Sequence, residues 1–477
     1  MGYTVPLIIN GHEVQTSTTF DVHDPSTGNI LWQSSTATVQ EAIEACDAAQ
    51  AAFPTWSSRK AGERRDILIK AAEIFEKRTA EFSTYMRSET GALEDWADNG
   101  TVPAAWEMIR DVAGRIVTVT STVPALRDEN AHAVIYKEPY GVVLAFAPWN
   151  APYALGIRAI IFALATGNTV VLKGSELSPR CMWSIVSVFH EAGLPNGALN
   201  FLTCARSDAA ATTKALIEHR AVRKVNFTGS TSVGKIIATL CGQNVKPCVL
   251  ELGGKAGAIV LEDADIENAA LECAIGAFLH SGQICMTTEK IIVHESIAPA
   301  FSKAFAAVVN RIFPSSKPAP VLIDSAAIAK NHRLICNAVQ KGATILSGDI
   351  DAKEESATRM RPIVVTGVNS NMDIFYEESF GPSVSLITVG SEEEAIKVAN
   401  DTRYGLSAAV FTRSLERGLH VAKSIESGAV HINQMTVHDD PSLPHGGVKE
   451  SGYGRFNGNT GLEEWVQTKS VTWTSKL

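Results

Sequence analysis

The chain has 477 residues, 45% of them hydrophobic, enough to bury several cores, and its length suggests two to four domains. A formal net charge of −9, with Lys and Arg scattered rather than clustered, leaves no electrostatic footprint for nucleic acid or an anionic membrane, and neither partner is expected. Eight cysteines without CxxC pairs or metal-ligand spacing read as a reduced intracellular set, not a disulfide framework, and no metal centre is expected.

Residues 1–11 lack the basic and long apolar regions of a secretory signal and read as a first strand and turn. Pro6 stands where a myristoylation signal needs Ser or Thr. Across residues 38–87 apolar side chains recur at helical spacing, as in Ala42, Ala45 and Ala49, then Leu68, Ala71 and Phe75, which predicts amphipathic helices. Residues 116–137 are rich in β-branched side chains around a turn at 124–130 and read as a hairpin leaving the first domain.

After Tyr140-Gly141 the run from Val142 to Ala147 is continuously apolar and ends at Pro148, as in a parallel strand buried on both faces. A helix is expected from Tyr153. The pattern repeats with strands at 169–173, 199–202 and 222–227 and a helix at 179–192, the alternation of a doubly wound α/β sheet. The apolar stretch 159–165, broken by Arg158 and Gly167, is too short to span a bilayer, and a cytoplasmic address is expected. A second α/β unit begins near Gly253, with strands at 258–261, 290–293 and 383–387, and the tail 465–473 again has strand character.

Two segments carry chemistry. Ser281-Gly282-Gln283-Ile284-Cys285-Met286 offers a thiol, and Leu250-Glu251-Leu252-Gly253-Gly254-Lys255 offers a carboxylate, each from a glycine-flanked turn. A thiolate attacks carbonyl carbon, and a carboxylate later deprotonates the water that frees the product. Gly229 to Gly234 follows a strand and opens a helix, where backbone N–H groups and the helix dipole receive a pyrophosphate, although the GxGxxG pattern is absent.

These segments, with Pro148-Trp149-Asn150, Lys173-Gly174-Ser175-Glu176, Gly193-Leu194-Pro195, the run from Asn226 to Gly234, Glu377-Glu378-Ser379-Phe380-Gly381-Pro382 and Gly446-Gly447, resemble the NAD(P)-dependent aldehyde dehydrogenase superfamily in order and separation. The resemblance implies an α/β chain with the aldehyde dehydrogenase fold: a Rossmann-like cofactor domain over 1–116 and 140–252, an α/β catalytic domain over 253–450, and a β-flap over 117–139 and 455–477 that makes a homodimer or homotetramer.

It further implies Cys285 as nucleophile, Asn150 as oxyanion donor beside the Cys285 backbone N–H, and Glu251 as the base for thioester hydrolysis. Relatives that pass the acyl group to coenzyme A lack that carboxylate, so a free acid is the expected product. Cofactor contacts are expected from Trp149, Lys173, Glu176, Gly229, Ser230, Gly234, Leu252, Glu378 and Phe380. Glu176 accepts hydrogen bonds from a ribose 2′-hydroxyl and repels a 2′-phosphate, so NAD is favoured, with NADP possible in the family.

For the substrate aldehyde, Arg158 lies about 80° around its helix from Asn150. It is a candidate for a phenolate, carboxylate or ring face, against the alternative of a solvated surface. Trp96, Tyr153 and Trp106 are further candidates, against the alternative that large aromatics are core. His445 departs from the family's usual Phe in Pro-Phe-Gly-Gly, and its imidazole is expected to titrate, bind a substrate hydroxyl or simply pack. The stretch from His431 to Lys449 resembles the branch acting on benzaldehyde, vanillin and salicylaldehyde, which implies an aromatic aldehyde. An aliphatic aldehyde or semialdehyde dehydrogenase and a non-catalytic binding relative are the alternatives.

Overall fold

The run from Val142 to Ala147 is a strand buried at every position, and it pairs in parallel with Thr169–Gly174 on one side and Val222–Thr228 on the other. The computed structural model describes residues 2–474. These strands centre an eight-stranded sheet, in the order Gly452–Tyr453, Cys248–Glu251, Val222–Thr228, Val142–Ala147, Thr169–Gly174, Leu199–Leu202, Leu7–Ile9 and His12–Val14. The last two make the N-terminal hairpin, whose turn residues Asn10 and Gly11 take positive φ.

Amphipathic helices Val39–Ser57, Ala61–Lys77 and Thr79–Thr90 pack their Ala, Leu and Phe stripes against this sheet and its neighbours. The helix Pro152–Ala165 is buried around almost its whole circumference. It is therefore a core helix that carries one arginine, Arg158, through the interior.

A second sheet of seven strands runs Thr344–Ser347, Ile363–Thr366, Ser383–Val389, Thr288–His294, Ala256–Val260, Ser407–Phe411 and Ala429–Ile432. All neighbours are parallel except the first pair. The carboxyl ends of Val142–Ala147, Val222–Thr228 and Cys248–Glu251 carry Asn150, Gly229 and Glu251, where open α/β sheets place ligands.

The hairpin expected at 116–137 does not form. Beyond a short turn at Ile116–Thr118, that segment contributes one strand, Ala131–Pro139, touched by a single bridge between Thr122 and Ile135. Its main partner is Val466–Thr474, antiparallel from Val466 opposite Pro139 to Thr474 opposite Ala131. The β-branched signal marked a strand, but its pairing lay with the far end of the chain. Residues 475–477 of the expected flap, and Met1, lie outside the described residues. No described helix is long and apolar enough to cross a membrane.

Candidate active site

Cys285 stands at the end of a tightly wound loop in which His280, Ser281 and Gly282 all take positive φ, conformations that L side chains adopt at a cost. The loop is fastened by Ser281 Oγ donating to Val321 O at 2.9 Å and by Ile323 N donating to Gln283 Oε1 at 2.9 Å. A Cβ on Gly254 would lie 2.2 Å from the Cys285 carbonyl oxygen, so the glycine of the Glu251 motif is what allows the two segments to close on each other.

The thiol and the carboxylate meet directly. Cys285 Sγ donates to Glu251 Oε1 at 3.1 Å, and Asn150 Nδ2 donates to Gln283 O at 3.0 Å on the same wall. Burial and the adjacent Glu251 carboxylate hold the Cys285 thiol well above its usual range, with Arg158 opposing them. Glu251 is only 1% exposed. Burial acts to raise its pKa, but Arg158, His445 and Cys285 outweigh burial and bring it down to about 2. At rest the pair is therefore a thiol and a carboxylate, with the proton on sulfur.

Three more side chains surround Glu251. Arg158 Nη2 donates to Glu251 Oε2 at 3.4 Å, and Nη1 donates to Asp439 Oδ2 at 2.7 Å. The guanidinium also lies over the Phe456 ring at 5.6 Å. Asn457 Nδ2 donates to Asp439 Oδ1 at 2.7 Å, which fixes that carboxylate in turn. The His445 ring lies between the two acids, Nε2 at 3.7 Å from Glu251 Oε1 and Nδ1 at 3.8 Å from Asp439 Oδ1. Arg158 is thus not a solvated surface residue: Nη1 and Nη2 bind Asp439 and Glu251, and its buried Nε has no hydrogen-bond partner among the described residues.

A cavity of about 260 Å³ opens above the pair, and Asn150, Glu251 and Cys285 share it with Trp149, Gly229, Ser230, Leu252, Glu378 and Phe380. Leu155 and Lys330 line it too. Ser230 caps the helix Thr231–Gln243, its Oγ accepting from Val233 N at 3.4 Å, so the helix N-terminus faces the cavity. A Cβ on Gly234 would strike Leu252 at 2.4 Å, a close packing of the helix on the Glu251 motif that only glycine permits.

Glu378 accepts from Gly254 N at 2.8 Å, and burial, with Glu289 nearby, pushes its pKa up to about 7. The Phe380 loop is held by Glu289, which pairs with Lys255 and accepts from Ser379 N and Phe380 N at 2.8 and 3.2 Å. Trp149 meets the Phe380 ring edge to face at 6.1 Å. Lys173 is buried at the end of its strand and Glu176 follows it half-buried, both outside this cavity. A helix N-terminus, a glycine-lined floor and the half-buried carboxylates of Glu176 and Glu378, suited to sugar hydroxyls, fit a dinucleotide.

On the other side of Cys285, Trp96 packs against Ile284, Met286, Leu406 and Val437, with Met435 beside them, as an apolar wall. Its ring stacks on His280 at 6.1 Å. Tyr153 is a different matter. It is fully buried, its ring 5.5 Å from Phe75 and 5.4 Å from Phe82, and its hydroxyl is hydrogen bonded to Ser184 at 3.2 Å. It is core, as is the partly buried Trp106, whose ring carries the Arg110 guanidinium at 4.7 Å.

Asp439, Asn457, Lys330 and the Lys255–Glu289 pair were not picked out by sequence. Asp439 and Lys255 lie inside motifs quoted for other reasons, whereas Lys330, on the helix Ser325–Gln340, carries no local signal.

The aldehyde dehydrogenase family model matches residues 12–471. A vanillin dehydrogenase of Pseudomonas fluorescens is 42% identical over 475 residues, covering 98% of this chain and 97% of the relative. A salicylaldehyde dehydrogenase of Pseudomonas putida is 38% identical over 478 residues, covering 98% and 97%. The crystal structure of a salicylaldehyde dehydrogenase from Pseudomonas putida G7 complexed with salicylaldehyde superposes with a TM-score of 0.95 at 36% identity, covering 99% of each chain.

Proposed function

The chain belongs to the aldehyde dehydrogenase family, and from that premise we propose that it oxidises an aromatic aldehyde to the free carboxylic acid, with NAD as preferred hydride acceptor. The observation that carries the reading is the 3.1 Å contact between the Cys285 thiol and the Glu251 carboxylate inside a cavity that also holds Asn150.

The residues divide the work as follows. Cys285 passes its proton to Glu251 as Sγ attacks the carbonyl carbon. Asn150 Nδ2, now on Gln283 O, and the Cys285 backbone N–H donate to the oxyanion that forms. NAD, when bound, would supply the hydride acceptor, and loss of hydride from the adduct would leave a thioester on Cys285. Glu251 then takes a proton from water, the hydroxide adds to the thioester carbonyl, and the C–S bond breaks with sulfur leaving as thiolate.

Aromatic selectivity rests on the wall of Trp96, Ile284, Met286 and Val437 beside Cys285, which offers a planar ring flat apolar contact and no charge for an acidic semialdehyde. The vanillin and salicylaldehyde dehydrogenases it resembles support the same class. Glu176 supports NAD over NADP. The paired strands Ala131–Pro139 and Val466–Thr474, with Tyr136, Val471 and Trp473 exposed, support assembly into a dimer or tetramer through this ribbon. Free cysteines throughout the described residues suit a cytoplasmic address.

NADH formation by the purified protein with benzaldehyde, salicylaldehyde and vanillin, against acetaldehyde, hexanal and succinic semialdehyde, tests the reading. Higher kcat/KM for the ring aldehydes is expected. Preference for an aliphatic or acidic aldehyde would discard the aromatic assignment, and inactivity on all six would favour a non-catalytic relative.

A further inference from the structure

We propose that His445 receives the proton that Glu251 collects, clearing the carboxylate between the two halves of the reaction. The role rests on the covalent reading above, and it makes His445 a positioning and relay group acting through Glu251, not a catalytic residue in contact with substrate.

The proton count requires such a group. Two protons reach Glu251 in each turnover: the Cys285 thiol gives one when sulfur bonds to carbon, and water gives another when its oxygen bonds to the thioester carbonyl. Only one returns, to the departing Cys285 thiolate. The other must leave Glu251 before the carboxylate can act on water, since a protonated acid is far too weak a base to take the proton of the incoming O–H.

Arg158, Cys285 and His445 are the ionisable side chains that approach the Glu251 carboxylate. A guanidinium has no acceptor atom, and Cys285 is the source of the first proton. His445 is left. Its Nε2 stands 3.7 Å from Glu251 Oε1, is buried, and has no hydrogen-bond partner among the described residues. A small rotation of either side chain closes that gap to a hydrogen bond.

The ring has an exit on its other side. Nδ1 is 3.8 Å from Asp439 Oδ1, and the Asp439 side chain is 24% exposed, an opening to solvent beyond the buried Glu251 and His445. The backbone of His445 is clamped by two hydrogen bonds to Phe456, N to O at 2.9 Å and O to N at 2.8 Å, so the ring is held between the two acids.

Charged and titratable groups face the ring from several elements. The ring faces the carboxylates of Glu251, from the Cys248–Glu251 strand, and Asp439, from the preceding loop, and the Arg158 guanidinium of the Pro152–Ala165 helix is bound to both acids. His431 from Ala429–Ile432 is held down to about 4 by burial and by the imidazoles of His438 and His445, so it stays neutral. Arg455, next to Phe456, turns away to Gly447 O and Gly454 O. A carboxylate held near 2 keeps a proton only briefly, and an imidazole behind it turns that fleeting transfer into a completed one.

The test compares wild type, His445→Phe, His445→Gln and Glu251→Gln by stopped-flow NADH formation with vanillin, with kcat followed over pH 5 to 9. Both His445 variants are expected to form about one NADH per site at the wild-type rate and then slow roughly tenfold, less than the loss of a directly acting base. The acid limb of the kcat profile should differ from that of wild type in both. Unchanged kcat in the His445 variants, a lower kcat with an unmoved acid limb, or a first turnover slowed in parallel with kcat would each overturn the relay. Glu251→Gln separates the two claims: unchanged steady-state turnover in that variant removes the base itself, whereas a stall after one turnover beside unaffected His445 variants removes only the relay.

Discussion

The sulfur of Cys285 and the carboxylate of Glu251 share one proton across 3.1 Å, and the negative charge of Glu251 is a main reason, after burial, that the thiol keeps it. Substrate-free protein should therefore react slowly with iodoacetamide at pH 7, with a rate that climbs steadily as pH rises. In Glu251→Gln the neighbouring negative charge is gone while Arg158 remains, so the thiolate is favoured and the whole rate profile should move to lower pH. Labelling measured by intact mass from pH 6 to 10 checks this; identical profiles would mean the carboxylate does not govern the thiol.

Arg158 holds Glu251 and Asp439 at once, and Arg158→Met would leave a buried carboxylate without its partner. A loss of about 3–5 kcal/mol in urea unfolding at pH 7 is expected. The sign with pH follows from Glu251, whose folded value of about 2 lies below its ordinary 4.5. That contribution is present above about 4.5 and is lost as pH falls towards 2, so the gap between wild type and variant should be widest at neutral pH and shrink below pH 4.

On the proposed mechanism Asn150→Ala removes the side-chain donor to the oxyanion and should lower kcat by roughly 100-fold, about 3 kcal/mol. Iodoacetamide labelling of Cys285 should hardly change, since Asn150 touches Gln283 O and not the sulfur. A large drop in labelling would instead assign Asn150 to positioning the loop.

The proposed preference for NAD rests on Glu176. Glu176→Gln keeps its volume and removes the charge that repels a 2′-phosphate, so the ratio of kcat/KM for NADP over NAD should rise by about tenfold, a repulsion of about 1.4 kcal/mol relieved. An unchanged ratio would place the discrimination elsewhere.

What the sequence made legible was local, and what it hid was distant. Cys285, Glu251 and Asn150 sit in short glycine- and proline-marked segments, and all three reach one cavity. The helical spacing used to relate Arg158 to Asn150 does not apply, because the helix begins at Pro152 and Asn150 precedes it, although Arg158 does reach Glu251 in the same site. The partners of Arg158 were not readable, because Asp439 lies 281 residues away and the contact depends on how the two sheets meet. The same spacing, applied within that helix, sets Tyr153 about 140° from Arg158, which is why it faces Phe75 and Phe82 instead of substrate. His445 was visible as a departure from phenylalanine, but its place between two acids was not. The strand at 131–139 was legible from its β-branched side chains, whereas its partner at 466–474 was not, since nothing local encodes a pairing across the length of the chain.

The most direct measurement is to mix Glu251→Gln with NAD and vanillin and record both NADH and the intact mass of the protein. A single equivalent of NADH together with a stable acyl adduct on the peptide containing Cys285 is the predicted result. Continued turnover with no adduct would contradict the covalent, Glu251-dependent route to the acid.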